Sequence, residues 1–395
     1  MTPESAAIRG QATVPFTDLG AMAGEVWPEI EQDYVACLLD GAYIGGPPVT
    51  DFEREWAAYC GVTHGVGLAS GTDALQLSLT ALGVGPGDEV VVPANTFIAT
   101  AAAVVRAAAT PRFADVSDDT LLMTPDTFAA AITPRTRAVI VVHLFGQIPN
   151  MAGIVAIAKQ AGIAVLEDAA QAHGAAWGGR RAGSFGAAAC FSFYPAKNLG
   201  AFGDAGAVVT SSPELADEVR SLANHGRSRG HSHYYHDRIG TNSRLDALQA
   251  ILLSGKLAHL DEWTERRTAL ASRYRELLGG CEFAGTALKL TATAPLAQHV
   301  YHLFVVRVAW RDRVRAGLAQ RGIQTGVHYP VPCHRQPPLR RFAERPLPVA
   351  EQAAGELLSL PMFPHLTERQ VDYVCESLCE VLRLMTVSSE IVNVQ

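Results

Sequence analysis

The stretch FSFYPAKNLGAFGDAGAV, residues 191–208, decides how this chain is read. Its first residues end an apolar strand over 188–193. Pro195 then makes a rigid turn, Lys197 stands on that turn, and a glycine-rich loop over 200–206 leads into a second strand over 206–210. Most lysines are solvated on surfaces, so a lysine at a strand end asks for a reason. Lys159, Lys197, Lys256 and Lys289 are the only lysines among 32 lysines and arginines. Lys159 and Lys256 fall on helical patterns, and Lys289 lies in the C-terminal part. Lys197 alone combines a strand end with a nearby strand-end carboxylate, Asp168. A lysine that reacts must shed its proton, which a partly buried site beside cationic groups promotes.

Outward from this stretch, short apolar runs alternate with helical patterns. Strands are predicted at 65–69, 89–92, 138–143, 163–166, 188–193 and 206–210. Helices are predicted at 74–82, from Phe97, after Thr124-Pro125 and at 151–160. The capping-box spacing of Thr50-Asp51-Phe52-Glu53 predicts a short helix there. Such alternation implies an α/β fold whose sheet is mostly parallel and covered on both faces. Ligands bind beyond the C-terminal strand ends of such sheets. Ser70, Asn95, His143, Asp168 and Tyr194 fall just past those ends.

A long helical pattern over 245–278 leads into a second part. There 300–308 reads as a strand, 311–320 as a helix, and Thr367-x-x-Gln370 caps a last helix to about residue 384. The length of 395 residues suits two domains. The expected division is a flexible tail over 1–14, a large domain over 15–255 and a small C-terminal α+β domain over 256–395.

Composition narrows the function classes. With 48% hydrophobic and 18% charged residues the chain can bury a sizeable core. A net charge of −7 gives no basic field for nucleic acid or an anionic membrane. No signal-like N-terminus and no 18-residue apolar span are read, so a cytoplasmic protein is expected. The seven cysteines, with no CxxC pair, are read as reduced thiols. His225, His231, His233 and His236 have spacing that could hold a metal ion, but a mobile loop explains them as well, and no metal is expected.

Two further segments carry chemistry. Ser70-Gly71-Thr72 sits at a strand-to-helix turn, where free N–H groups and the helix dipole suit an anion; an ordinary serine cap would look the same. Asp168 ends an apolar strand, where an unpaired carboxylate is costly, so a partner is needed. A pyridinium nitrogen is one such partner; a salt bridge or a cap is another. Strand alternation sends Glu167 to the opposite face.

The chain resembles the DegT/DnrJ/EryC1/StrS sugar aminotransferases of fold type I. The matching strings are SGTDAL (70–75), PANTFIATA (93–101), VHLFGQ (142–147), EDAAQAHGA (167–175), FSFYPAKNLGAFGDAGAV (191–208), GTNSRLDALQA (240–250) and GVHYPVPCHRQP (326–337). They span nearly the whole chain after residue 15. The resemblance implies pyridoxal 5'-phosphate as cofactor and Lys197 as its Schiff-base lysine. Asp168 would pair with the ring nitrogen, Gln171 would contact the ring hydroxyl side, and Phe97 would stack on the ring. Gly71, Thr72 and Ser192 would hold the phosphate. Asn242 would reach the phosphate of a neighbouring subunit, which implies a homodimer with shared sites. Two departures are mild: Ala196 stands where Gly or Thr is frequent, and Asp204-Ala205-Gly206 replaces a more glycine-rich turn. Family dehydratases carry histidine in place of the lysine; Lys197 favours amino transfer.

The implied reaction moves an amino group from glutamate to a nucleotide-linked keto sugar. His328, Tyr329 and His334 resemble the variant common among enzymes that aminate C3, so C3 is favoured over C4. Arg244, with Arg227, Arg229 and Arg335, could meet a pyrophosphate tail. An amino-cyclitol aminotransferase is the alternative enzyme. A non-catalytic regulator or binding protein is the alternative of another class, though both Lys197 and Asp168 are present.

Overall fold

In the computed structural model, residues 13–227 and 234–392 are described. Two helices come first, α1 (Leu19–Asp40) and α2 (Pro47–Cys60). The alternating part follows: β1 (His64–Leu68), α3 (Gly71–Ala81), β2 (Glu89–Pro93), α4 (Ile98–Arg106), β3 (Thr110–Ala114), α5 (Pro125–Ala129), β4 (Thr136–Val142), α6 (Met151–Ala161) and β5 (Ala164–Asp168). A small ribbon, β6 (Ala176–Trp177) and β7 (Arg180–Arg181), precedes β8 (Ala188–Ser192), β9 (Gly206–Thr210) and α7 (Pro213–Ala223). Then come α8 (Ala247–Gly279), β10 (Leu288–Leu290), β11 (Ala297–Gln298), β12 (Phe304–Val308), α9 (Arg311–Gln320), α10 (Pro348–Glu356), β13 (Leu357–Leu360) and α11 (Glu368–Val392).

The central sheet has seven strands in the order β1-β9-β8-β5-β4-β2-β3. It is parallel from β8 through β3, while β9 runs antiparallel to both β1 and β8. Alternate residues of each strand feed opposite cores. Val90, Val92, Ile140 and Leu166 bury on one face; Val91, Val139, Val141 and Val165 bury on the other. Both faces are therefore apolar, as a doubly covered sheet requires. The register sets Ser192 beside Gly206, Gly206 beside Leu68, and Asp168 beside Cys190 and Val142. The ends of β1, β5 and β8 thus share one edge.

A second core, with Tyr274, Phe304, Val306, Leu358 and Leu378, lies around the three-stranded sheet β10-β12-β13. Helix α8 runs unbroken across residue 255, so the expected domain border is a helix rather than a linker. A further sheet, β11-β6-β7, ties the C-terminal part to the central part. No helix among the described residues is long and apolar enough to cross a membrane.

Several expectations need correction. Val14, assigned to a loose tail, is buried and pairs with Ile323, so the tail ends before it; residues 1–12 lie outside the described residues. The helix expected at Thr50 starts at Pro47, and Glu53 instead accepts from Gly67 N and Arg220. The strand expected from residue 300 starts at Phe304, leaving 299–303 as a loop. Cys281 and Cys379 form a disulfide, against the reading of seven reduced thiols. Cys37, Cys60, Cys190, Cys333 and Cys375 are free and buried.

Candidate active site

Lys197 is positioned by a turn that the sequence builds tightly. Its N–H donates to Tyr194 O at 2.8 Å. A Cβ at Gly200 would lie 2.3 Å from Pro195 O, so only glycine closes this turn. Below it, the buried Lys256 donates from Nζ to Gly200 O at 2.7 Å, and α8 thereby props the loop. Among the described residues Lys197 makes no ion pair. Burial disfavours its ammonium and lowers its pKa to about 8, while Asp168 pulls the other way. The amine is thus far easier to deprotonate than a surface lysine.

Asp168 ends β5 and is only 6% exposed. Thr100 Oγ1 donates to its Oδ2 at 2.8 Å, and Ala170 N donates to its Oδ1 at 3.2 Å. Burial raises its pKa; these two bonds and the Lys197 charge offset that in part. No arginine or lysine hydrogen-bonds it among the described residues, so the carboxylate still lacks a cation. Its neighbour Glu167 faces the opposite way, as alternation predicts. Glu167 accepts from His143 Nε2 and from the N–H groups of Gly183, Phe185 and Gly186. Burial alone would raise the Glu167 carboxyl, but His143 and these N–H groups hold it below the usual range.

The anion end of the site is the start of α3. Ser70 caps the helix, accepting from Asp73 N at 3.1 Å. A Cβ on Gly71 would lie 2.7 Å from Ser192 Cβ, and one on Gly206 would lie 2.3 Å from Ser70 C. Glycines therefore let α3, β8 and β9 meet so closely that free helix N–H groups and the Ser192 hydroxyl face one space.

Ser70, Gly71, Thr72, Phe97, Asp168, Gln171, Ser192, Tyr194, Lys197, His328 and Tyr329 all line one cavity of about 440 Å³. Phe97 is 54% exposed, so much of its aromatic surface is open to the cavity. Gln171 is held at both ends: Phe145 N donates to its Oε1 at 2.7 Å, and its Nε2 donates to Tyr329 Oη at 3.0 Å. His328 Nδ1 lies 2.8 Å from Ser359 Oγ, and its ring stacks on Phe16 at 5.8 Å. Burial and Lys197 push the His328 imidazole down to about 4. Burial raises the Tyr329 phenol well above its ordinary value.

Other candidates lie elsewhere. His334 is fully buried, bonds Glu351 Oε1 at 2.9 Å and borders a different, smaller pocket. It stands on a short helical turn over Cys333–Arg335 and does not line the cavity that holds Lys197. Arg335 pairs with the same Glu351. Asn242 and Arg244 do not line this chain's cavity; Asn242 pairs with Asn224, and Arg244 lies 3.5 Å from Asn224 Oδ1. Of the strand-end residues, Asn95 and His143 are buried outside the cavity. Arg227 and His236 sit on the same bridge, with His236 Nδ1 2.8 Å from His225 O. Arg229, His231 and His233 lie outside the described residues. Glu25, His259 and Glu262 form a metal-like group, but Arg266 already bonds both carboxylates.

The cavity also holds residues that sequence reasoning missed: Phe16, Thr96, Thr100, His302 and Met362. Thr100 was findable, because it falls one helical turn beyond Thr96 at the start of α4. Phe16 and His302 arrive from remote segments, which no local pattern marks.

A low-pKa amine, an unpaired buried carboxylate, a helix N-terminus lined by glycine and an open aromatic face fit the aldehyde, ring nitrogen, phosphate and ring of pyridoxal phosphate. Comparison with known proteins agrees. The model of the DegT/DnrJ/EryC1/StrS aminotransferase family matches residues 26–379. A dTDP-3-amino-3,4,6-trideoxy-alpha-D-glucose transaminase from Streptomyces venezuelae is 47% identical, over 93% of this chain and 96% of that one. A UDP-N-acetyl-3-dehydro-alpha-D-glucosamine 3-aminotransferase from Acidithiobacillus ferrooxidans is 46% identical, over 91% and 95%. Among solved structures, S. venezuelae DesV in complex with a ketimine intermediate superposes with a TM-score of 0.89 at 47% identity, covering 93% of this chain and 98% of that one. NtdA from Bacillus subtilis with bound cofactor PMP superposes with a TM-score of 0.88 at 32% identity, covering 95% and 86%. The chain belongs to the DegT/DnrJ/EryC1/StrS aminotransferase family and is a pyridoxal-phosphate-dependent aminotransferase.

Proposed function

We propose that the protein transfers an amino group from glutamate to a keto sugar carried on a nucleotide, at C3 of the sugar. The observation that carries this reading is the meeting of Lys197, Asp168 and the start of α3 in one cavity large enough for more than the cofactor. Relatives named for nucleotide sugars aminated at C3 support the acceptor and the position.

Bound pyridoxal phosphate supplies a carbonyl that condenses with amines and a ring that withdraws electrons. Gly71, Thr72 and Ser192 would hold its phosphate, Phe97 its ring face and Gln171 its hydroxyl side. Asp168, kept as a carboxylate, would hold a proton on the ring nitrogen. Lys197 Nζ, as a neutral amine, would take the proton from the α-carbon of glutamate, acting as general base. The same nitrogen, carrying that proton, would return it as general acid to the bound cofactor. With the sugar the sequence of transfers runs in reverse. Phe97 and Tyr329, with ring centroids 5.6 Å apart, and Phe16 give this cavity an aromatic lining.

The reading includes a homodimer with shared sites. Asn242 does not line its own cavity, Leu39 (83%) and Ile239 (95%) are exposed, and a bridge from Ile44 to Asp246 links the segments that follow Leu39 and Asn242. Apolar side chains at such exposure suit a partner surface. A cytoplasmic location goes with this reading. So does a division near residue 255, with α8 as the shared spine of a cofactor-binding part and a C-terminal part.

The test is a panel. Holoenzyme with ¹⁵N-glutamate is offered dTDP- and UDP-linked 3-keto and 4-keto sugars and a keto-inositol, and the products are located by NMR. Label on C3 of a nucleotide sugar is expected. Label on C4 alone, or on the inositol alone, overturns the acceptor assignment. A protein that binds pyridoxal phosphate without transferring label to any acceptor would be a regulator.

A further inference from the structure

Asn198 follows Lys197 directly and is 1% exposed. Both ends of its amide engage the loop that enters β12. Its Nδ2 donates to Val300 O at 3.0 Å, and its Oδ1 lies 3.3 Å from Nδ1 of His302. The first bond orients the amide, because only the nitrogen can donate to a carbonyl. The amide oxygen therefore faces the imidazole, and it can only accept. Nδ1 of His302 must carry the proton, which leaves Nε2 of the neutral ring as a bare acceptor. Burial, then the charges of Lys197 and Arg267, oppose protonation of this ring, so the acceptor persists. Nε2 makes no hydrogen bond with the described residues, and His302 lines the same cavity as Lys197 and His328.

An acceptor on that wall selects among the molecules the cavity must admit. The carboxylates of glutamate are themselves acceptors and gain nothing from a second one. The cofactor's phosphate and ring nitrogen have Gly71, Thr72, Ser192 and Asp168. A sugar brings hydroxyl or amide N–H donors.

We propose that Nε2 of His302 accepts a hydrogen bond from a hydroxyl or amide N–H of the acceptor sugar, making His302 a specificity-determining residue. This rests on the nucleotide-sugar reading above. Asn198 is then a positioning residue: it fixes the tautomer and ties the sugar-binding wall to the turn that carries Lys197.

Two substitutions separate the acceptor from the tie. In His302→Asn the amide nitrogen can replace Nδ1–H towards Asn198, but nothing replaces Nε2. In His302→Gln the amide reaches the Nε2 position, but the tie to Asn198 is lost. Binding of dTDP-D-glucose and of UDP-N-acetyl-D-glucosamine to each holoenzyme is measured by calorimetry, with a thermal melt of each protein. His302→Asn is expected to bind the better of the two probes about three- to tenfold more weakly than wild type, the loss of one hydrogen bond. His302→Gln is expected to stay within about twofold. Equal binding by wild type and His302→Asn overturns the proposal. Equal weakening in both variants overturns it too, since His302 would then act only through packing. Wild-type protein that binds neither probe overturns the nucleotide-sugar reading itself, and this inference with it.

Discussion

Burial and Asp168 pull the acidity of Lys197 in opposite directions, and burial wins, leaving the pKa at about 8. Only the neutral amine attacks a carbonyl. The rate at which apoprotein captures pyridoxal phosphate should therefore rise with pH and level off above about 8, as stopped-flow absorbance would show. The sign for stability follows from the same shift. The unfolded lysine, near 10.5, binds its proton more tightly than the folded one, so the apoprotein should gain stability as pH rises from about 8 towards 10.5. Urea midpoints across that window check this. Asp168→Asn keeps the shape but removes the charge that would hold a proton on the ring nitrogen. It should lower kcat/KM by roughly 100-fold or more while the protein stays folded; circular dichroism and steady-state kinetics together decide it. Lys197, Asp168 and the Gly71 turn were legible because each stands at a strand end inside one local pattern. His334 was not, because its place depends on Glu351, a contact that sequence spacing does not encode.

The elements were legible where side-chain period alone decides them. Apart from β3, the strands of the parallel part and the long α8 match their patterns to within two residues at either end. Helix α1 was missed because Pro28 lies inside it and reads as a breaker, although Met22, Val26 and Ile30 mark a buried stripe at helical spacing. Strand β3 was missed because of Pro111; it is an edge strand, where proline is tolerated. The direction of β9 cannot be read from alternation. A signal existed, though: the connection from Ser192 to Gly206 has no helical pattern, and a parallel neighbour needs a long crossover. The antiparallel return brings Gly206 onto Ser70, where an added Cβ would meet backbone at 2.3–2.6 Å. Backbone cannot yield as a side chain tip can. Gly206→Ala should cost about 1–3 kcal/mol of stability and displace the start of α3. The urea midpoint and the dissociation constant for pyridoxal phosphate should both move; an unchanged cofactor affinity would show that α3 does not hold the phosphate.

At the scale of the whole molecule, length pointed to two parts, but α8 runs unbroken across the expected border and the small sheet β11-β6-β7 spans it. A chain cannot show in its own pattern which surface another copy will cover. The three-dimensional placement of Asn242, outside its own cavity and near the exposed Ile239, makes the shared site testable. Lys197→Ala should be inactive. Asn242→Ala should lose about 10- to 100-fold in cofactor affinity, as expected for one hydrogen bond to a charged phosphate, and be nearly inactive at limiting cofactor. If Asn242 serves the neighbouring subunit, a mixed dimer of these two variants puts both defects in one site and leaves the other intact. Random exchange of equal amounts makes half of the dimers mixed, so about a quarter of wild-type activity should return. If Asn242 serves its own subunit, every site in the mixture carries one defect and no activity returns. The assay is specific activity against time of mixing at limiting cofactor, with each variant alone as control. A flat time course, once native mass spectrometry has shown mixed dimers, would rule out the shared site.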